Sequence, residues 1–142
     1  MKNNSLPHSI EKNKVVEKKS DIAHSFERGD VFSDKCPSRA VLNHVTSRWG
    51  VLVLVALKDG QVHRFSELRR AINGVSEKML AQTLQTLGQD GFVLRTSYPV
   101  VPPHVEYSLT SLGFEVSERV AALVNWLEDN ILLILEGKSQ VQ

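Results

Sequence analysis

Cysteine is almost missing from this chain of 142 residues: Cys36 stands alone. An internal disulfide is excluded, so any bridge must join two chains or take up a small thiol. Metal chemistry is also poorly supplied. The five histidines, His8, His24, His44, His63 and His104, include no pair at metal-ligand spacing, and there is no second cysteine to complete a set. No glycine-rich loop of the phosphate-cradling kind is present. The carboxylates are scattered without an acid/base pair, and a thiol enzyme built on Cys36 would need a base that the sequence does not supply. These gaps argue against an enzyme, a metal site and an organic cofactor. Long apolar runs are missing too: none reaches the ~18 residues of a membrane-spanning helix. The opening "MKNNSLPHSIEKNKVVEKKS" is polar and lysine-rich, without the apolar middle of a secretory signal. With one cysteine, this gives the expectation of a cytoplasmic protein without a membrane partner.

Charge of one sign is scarce overall, with a net +1, but it is not evenly spread. Residues 1–34 hold six Lys/Arg and six Asp/Glu, residues 35–110 hold nine and five, and residues 111–142 hold two and five. A basic middle beside an acidic end suggests a middle that meets a polyanion, although chance scatter in short segments gives the same picture. The same divisions serve as expected domains. Residues 1–34 form a flexible N-terminal segment with a short helix near 21–28, where Ile22 and Phe26 share a face and Gly29 stops it. Residues 35–110 form the central domain, and 111–142 a C-terminal helix and tail.

Within the middle, Pro37 suits the first position of a helix carrying Val41, Leu42 and Val45. Trp49 to Leu57 is almost wholly apolar. Such a run can be a buried strand or a buried helix, and only the Lys58-Asp59-Gly60 stop favours helix. Ser66 is read as the cap of a short helix with Leu68 and Ile72 inward. His63 precedes it in a turn or short strand. After the turn at Asn73-Gly74, Ser76 caps a second helix. "FVLRTSY" and "HVEYSL" then read as strands joined by "PVVPP", whose prolines at 99, 102 and 103 cannot sit in a central strand and so stiffen a loop. The chain closes on a long helix with Val116, Val120, Leu123, Leu127 and Ile131 at intervals of three and four, widened by Val124 and Ile134. That apolar load is high for a terminal helix and suggests a partner surface. Three helices followed by a hairpin make a winged helix: a mainly α, formally α+β fold with a two-stranded wing and flanking helices. Trp49 is expected in the core, while Trp126 fits either a dimer contact or a ligand crevice.

The helix after Ser76 is the most informative. On a wheel of ~100° per residue, Leu84 and Leu87 fall within about 40° of Leu80. Nearly opposite lie Lys78, Gln82, Gln85 and Gln89. An exposed face usually carries Glu/Lys pairs, yet this one has no acid beyond Glu77 in the first turn. Glutamine can bind adenine through both amide atoms in the major groove, and a carboxylate here would be repelled by phosphates. An ordinary polar face is the plainer alternative, since glutamine is a good helix former. The wing adds Arg95 on its first strand and His104 after Pro102-Pro103 at the loop tip, either of which can meet the DNA backbone.

Taken together, "CPSRAVLNHVTSRWGVLVLVALKDG", "RFSELRR", "VSEKMLAQTLQTLGQDGFVLR" and "YPVVPPHVEYSLTSLG" resemble the HxlR-type winged helix regulators of bacteria, from Cys36 to Gly113. The resemblance implies homodimers on double-stranded operator DNA, joined by terminal helices, with Ser76–Leu87 as recognition helix and Phe92–Leu109 as wing. It favours repression and leaves room for a small-molecule effector. Relatives often carry Arg at the position of His104, which makes a contact there weaker and pH-sensitive. Cys36 matches a position that senses electrophiles or oxidants in some relatives. At a helix N-terminus between Lys35 and Arg39 its thiolate would be favoured, although an unreactive, partly buried cysteine fits equally. The expected DNA contacts are Ser76, Lys78, Gln82, Gln85, Arg95 and His104. The competing expectation is a winged helix used only for protein contact.

Overall fold

The computed structural model describes residues 29–141, so the flexible segment and short helix expected before Gly29 lie outside the described residues. Two compact units divide the described chain, one ending at Val41 and the other beginning at Leu42. In the first, turns lead to the start of helix α1 (Pro37–Thr46), whose residues from Leu42 onward belong to the second. The N–H of Cys36 donates to the Ser33 carbonyl at 3.2 Å, and the Arg39 guanidinium donates to the Phe32 carbonyl at 3.2 Å.

The second unit carries the rest: α2 (Arg48–Ala56), a 3-10 turn at Leu57–Asp59, α3 (Phe65–Ala71), α4 (Glu77–Gln89), β1 (Val93–Tyr98), β2 (His104–Leu109) and α5 (Ser111–Val141). The apolar run is helical. Ser47 starts α2 by accepting the N–H of Gly50 at 3.1 Å while donating to the His44 carbonyl at 2.8 Å. Val53, Leu54 and Leu57 are fully buried, as is Leu80 of α4. Full burial of each such side chain is worth about 1.5–3 kcal/mol. Helix α2 is therefore apolar nearly all round, which is why periodicity could not distinguish it from a strand. It packs against α4 on one side and α5 on the other. Of the stripe expected on α1, Val45 is buried while Leu42 stays exposed.

Two expectations need correction. Ser66 does not cap α3. The cap position is Arg64, extended at φ −82° and ψ 159°, with no side-chain cap bond. The cause lies outside the local sequence: His63 and Tyr107 exchange two backbone hydrogen bonds of 2.8 Å each, so the chain is held as a strand up to Arg64 and turns at once into helix. Trp49 is half-buried rather than fully enclosed; its ring lies 5.6 Å under the Arg48 guanidinium and faces the turn at Gly74.

The strands pair antiparallel, Val93 with Leu109 through Tyr98 with His104, and the three prolines fall in the loop between them. Thr110 then ties the wing to α5. Its hydroxyl donates to the Gly91 carbonyl and accepts the Gly113 N–H at 3.0 Å. The first half of α5 belongs to the core, with Ser117, Val120 and Ala121 buried, whereas Leu123, Trp126, Leu127, Ile131 and Leu132 are exposed.

Two glycines sit where backbone meets backbone. A Cβ on Gly50 would lie 2.1 Å from the His44 carbonyl oxygen, and one on Gly113 would lie 2.0 Å from that of Phe92. Alanine is the better helix former by ~1 kcal/mol, but neither carbonyl can yield without moving a corner of the fold. Gly50→Ala and Gly113→Ala should therefore each destabilise by about 1–3 kcal/mol, read from urea unfolding midpoints. Unchanged midpoints would show that these corners open freely.

Candidate nucleic-acid interface

Helices α3 and α4 meet at a turn that Gly74 makes possible with φ +90°. Ser76 accepts the Met79 N–H at 3.1 Å and starts α4. Leu80, Leu84 and Leu87 are buried against the domain, so α4 cannot rotate about its axis without exposing them. Lys78, Gln82, Gln85 and Gln89 are consequently turned to solvent. None of the four has an intramolecular side-chain hydrogen bond or ion pair among the described residues.

The acids near this helix are occupied. Glu77 pairs with Arg69 at 2.9 Å, an exposed contact worth at most ~1 kcal/mol. Asp90, at the C-terminal end of α4, meets His44 Nδ1 at 2.6 Å. Nothing in the sequence around His44 points to this contact, because a partner 46 positions away leaves no local trace.

Gln82 and Gln85 look into different grooves. Gln82 shares a shallow groove with Asn43, Ser47 and Thr86. Gln85 lines a wider cleft of about 700 Å³ between α4 and β1, together with Leu94, Arg95 and Tyr107. The fold therefore brings Gln85 and the wing cation Arg95 to one surface.

An all-helical body with a two-stranded wing, and a helix whose leucines fix its amide face outward, is a winged helix-turn-helix. The family model described as HxlR-like helix-turn-helix matches residues 44–133. The chain belongs to that family. The HTH-type transcriptional regulator YtfH of Escherichia coli K12 is 64% identical over 119 residues, covering 84% of this chain and 94% of that one. The solved structure of YtfH from Salmonella typhimurium is 65% identical, covers 79% of this chain and 99% of that chain, and superposes with a TM-score of 0.75. The redox regulator HypR in its reduced form is 33% identical, covers 70% of this chain and 98% of that chain, with a TM-score of 0.64.

On this HxlR-like frame, His104 is not at the wing tip. It is the first residue of β2, paired with Tyr98, and their rings meet edge to face at 5.3 Å. Pro102 and Pro103 take up the loop, so the strand resumes at once. His104 Nε2 contacts Glu106 Oε1 at 2.7 Å, and Glu106 Oε2 accepts the Tyr98 hydroxyl at 3.2 Å. The His104 hydrogen bond is the main reason the Glu106 carboxyl titrates below its usual range, and the same carboxylate pushes the Tyr98 phenol up. His63 is similarly engaged. It bonds Asp59 at 2.8 Å and faces Glu67 at 3.5 Å. Asp59 is held below its usual range, first by the N–H of Gln61 and then by His63.

Cys36 lies in the first unit, half-buried, directly before α1. Its carbonyl accepts the Arg39 N–H at 3.0 Å. Among the described residues no group of three His, Cys, Asp or Glu side chains converges as a metal site. Nor, among them, is any single helix long and apolar enough to cross a membrane.

Proposed function

We propose that this HxlR-like chain is a homodimeric, sequence-specific regulator of transcription, acting in the cytoplasm as a repressor on double-stranded operator DNA. One observation carries the reading: α4 is clamped by three buried leucines so that Lys78, Gln82 and Gln85 face outward, Gln85 in one cleft with Arg95, with no unpaired carboxylate on that face. The names of the relatives, HTH-type transcriptional regulators, support it.

In this reading α4 enters the major groove. Gln82 and Gln85 hydrogen-bond base edges, and Lys78 reaches a base or a flanking phosphate. The N–H groups near Ser76 that the serine hydroxyl does not occupy meet a phosphate. Arg95 carries the wing contact to the backbone. His104 reaches the backbone only by giving up Glu106, so it serves first to brace the wing. Gln82→Ala should cost about 1–3 kcal/mol at a single base position, measured against a panel of operator variants. A loss spread evenly over all sequences would refute that role.

The exposed apolar half of α5 supplies the dimer contact, since Leu123, Trp126, Leu127, Ile131 and Leu132 are all exposed on one helix, and clustered bare apolar side chains mark interaction surfaces. Two-fold symmetry then implies a pseudo-palindromic site with half-sites ~34–36 Å apart or a multiple of it. Because the first half of α5 is core, deleting the whole helix would confuse unfolding with dissociation. The double change Leu127→Glu and Ile131→Glu leaves that core intact. It should give a folded monomer by sedimentation, with operator binding reduced at least tenfold. A variant that stays dimeric would place the interface elsewhere.

Cys36 is the proposed redox input, a reading supported by the likeness to the redox regulator HypR. With one cysteine per chain, any disulfide must join two chains or add a small thiol, while oxidation to a sulfenic acid needs no second thiol. Treatment with a thiol oxidant should change operator affinity in the wild type and leave Cys36→Ser unmoved. Equal responses of both proteins would remove Cys36 from the mechanism.

A further inference from the structure

A cation outside the recognition helix remains unexplained. In the unit from Leu42 onward, most guanidinium groups already have work. Arg48 lies over Trp49, Arg69 pairs with Glu77, Arg70 donates to the Ser66 carbonyl and Arg119 to that of Glu115. Arg64 has no such partner among the described residues, and it is exposed. It lines a cleft of about 440 Å³ beneath the wing, facing Tyr98, Val101, Pro102, His104 and Glu106.

The obvious partner there is Glu106, and it is taken. One carboxylate oxygen is bound to His104 and the other to the Tyr98 hydroxyl. Glu106 is near enough to be stabilised by the Arg64 charge, yet the two form no ion pair. The wing itself is poor in cations: from Thr96 to Pro103 it has neither lysine nor arginine. Phosphates running beneath the wing tip would find no charge on the loop, but they would find Arg64. The backbone at Arg64 is fixed, because His63 is locked to Tyr107 by two hydrogen bonds of 2.8 Å. A planar fork of donors on a fixed base suits a phosphate oxygen pair.

We infer that Arg64 binds a backbone phosphate of the operator in the cleft under the wing, supplying the contact that the uncharged wing tip lacks. This rests on the DNA-binding reading above. It assigns a position-fixing contact, blind to base sequence, to a residue outside both α4 and the strands.

The test is the salt dependence of DNA affinity for the full chain, as wild type, Arg64→Ala, Arg64→Lys and Gln82→Ala. Each is titrated on a selected operator and on a random duplex between 50 and 200 mM salt. Each phosphate contact contributes about 0.9 to the slope of log K against log salt. Arg64→Ala should lose about that much, so its affinity falls ~3.5-fold less than wild type across the fourfold range. It should weaken operator and random duplex by the same factor, with an unchanged melting temperature. Arg64→Lys should keep the slope, and Gln82→Ala should keep the slope while losing sequence preference. If wild type binds with a steep slope and Arg64→Ala matches it in slope and affinity, the inference is overturned and the DNA-binding reading stands. A wild type with no salt-dependent affinity for either duplex overturns both.

Discussion

The burial of α2 is the constraint on which the rest of the molecule depends. This helix has almost no polar side, and α4 and α5 cover the part of it that carries Val53 and Leu54, while Leu52 stays exposed. The leucines of α4 are committed to that task at 0–3% exposure, which fixes the rotation of the helix about its own axis. The outward direction of Lys78, Gln82 and Gln85 therefore follows from packing and not from anything those side chains do themselves. A reading surface held this way needs no ordering when it meets a partner, and rigid placement lowers the entropic cost of binding. Gly50 is the counterpart of this arrangement on the α1 side, since only a residue without Cβ lets α2 begin so close to the His44 carbonyl.

A second pattern concerns acids. A surface meant for a polyanion cannot leave carboxylates bare. Around α4 and the wing, Asp59, Glu77, Asp90 and Glu106 all have partners, and three of the four partners are histidines. The choice of histidine has a structural logic. Its flat, short side chain reaches sideways: His44 ties α1 to the end of α4, His63 lies between Asp59 of the 3-10 turn and Glu67 of α3, and His104 holds Glu106 along β2 while Glu106 takes the Tyr98 hydroxyl from β1. Each histidine pair occupies an acid without drawing on an arginine or Lys78, so that among these four acids only Glu77 takes a guanidinium.

How much of this was readable beforehand depended on the range of the forces involved. The amide face of α4 was legible because a period of 3.6 is local, and Leu80, Leu84 and Leu87 state it within eight residues. The wing was legible because prolines exclude themselves from strands. Trp49–Leu57 is ambiguous, since a segment apolar on nearly all sides carries no period whatever its burial. Ser66 misled for a different reason: the start of α3 is set by a two-bond bridge to Tyr107, far along the chain, and that bridge overrides a good local cap. The expectation of His104 at a loop tip fails because sequence shows where prolines end but not where strand pairing resumes. At the candidate interface, the individual residues were visible but their grouping was not. Gln85 shares a cleft with Arg95 and Gln82 does not, and that distinction needs the strand laid against the helix.

Helix α5 shows how one element can serve two surfaces. Its first turns are held by Thr110 and by the close approach of Gly113 to Phe92, and Ser117, Val120 and Ala121 sit in the core with α2. Beyond them the same helix continues with its apolar stripe uncovered. No hinge separates the two parts, because the helix is continuous from Ser111 to Val141. A dimer built on the distal stripe would therefore be joined to each α4 through packed helices, α5 to α2 to α4, and not through a linker. Flexible linkers allow a range of separations, whereas packed helices allow one. The spacing of two reading helices would then be a property of core packing. Changes in that core, far from any DNA contact, would alter which half-site separation the protein accepts.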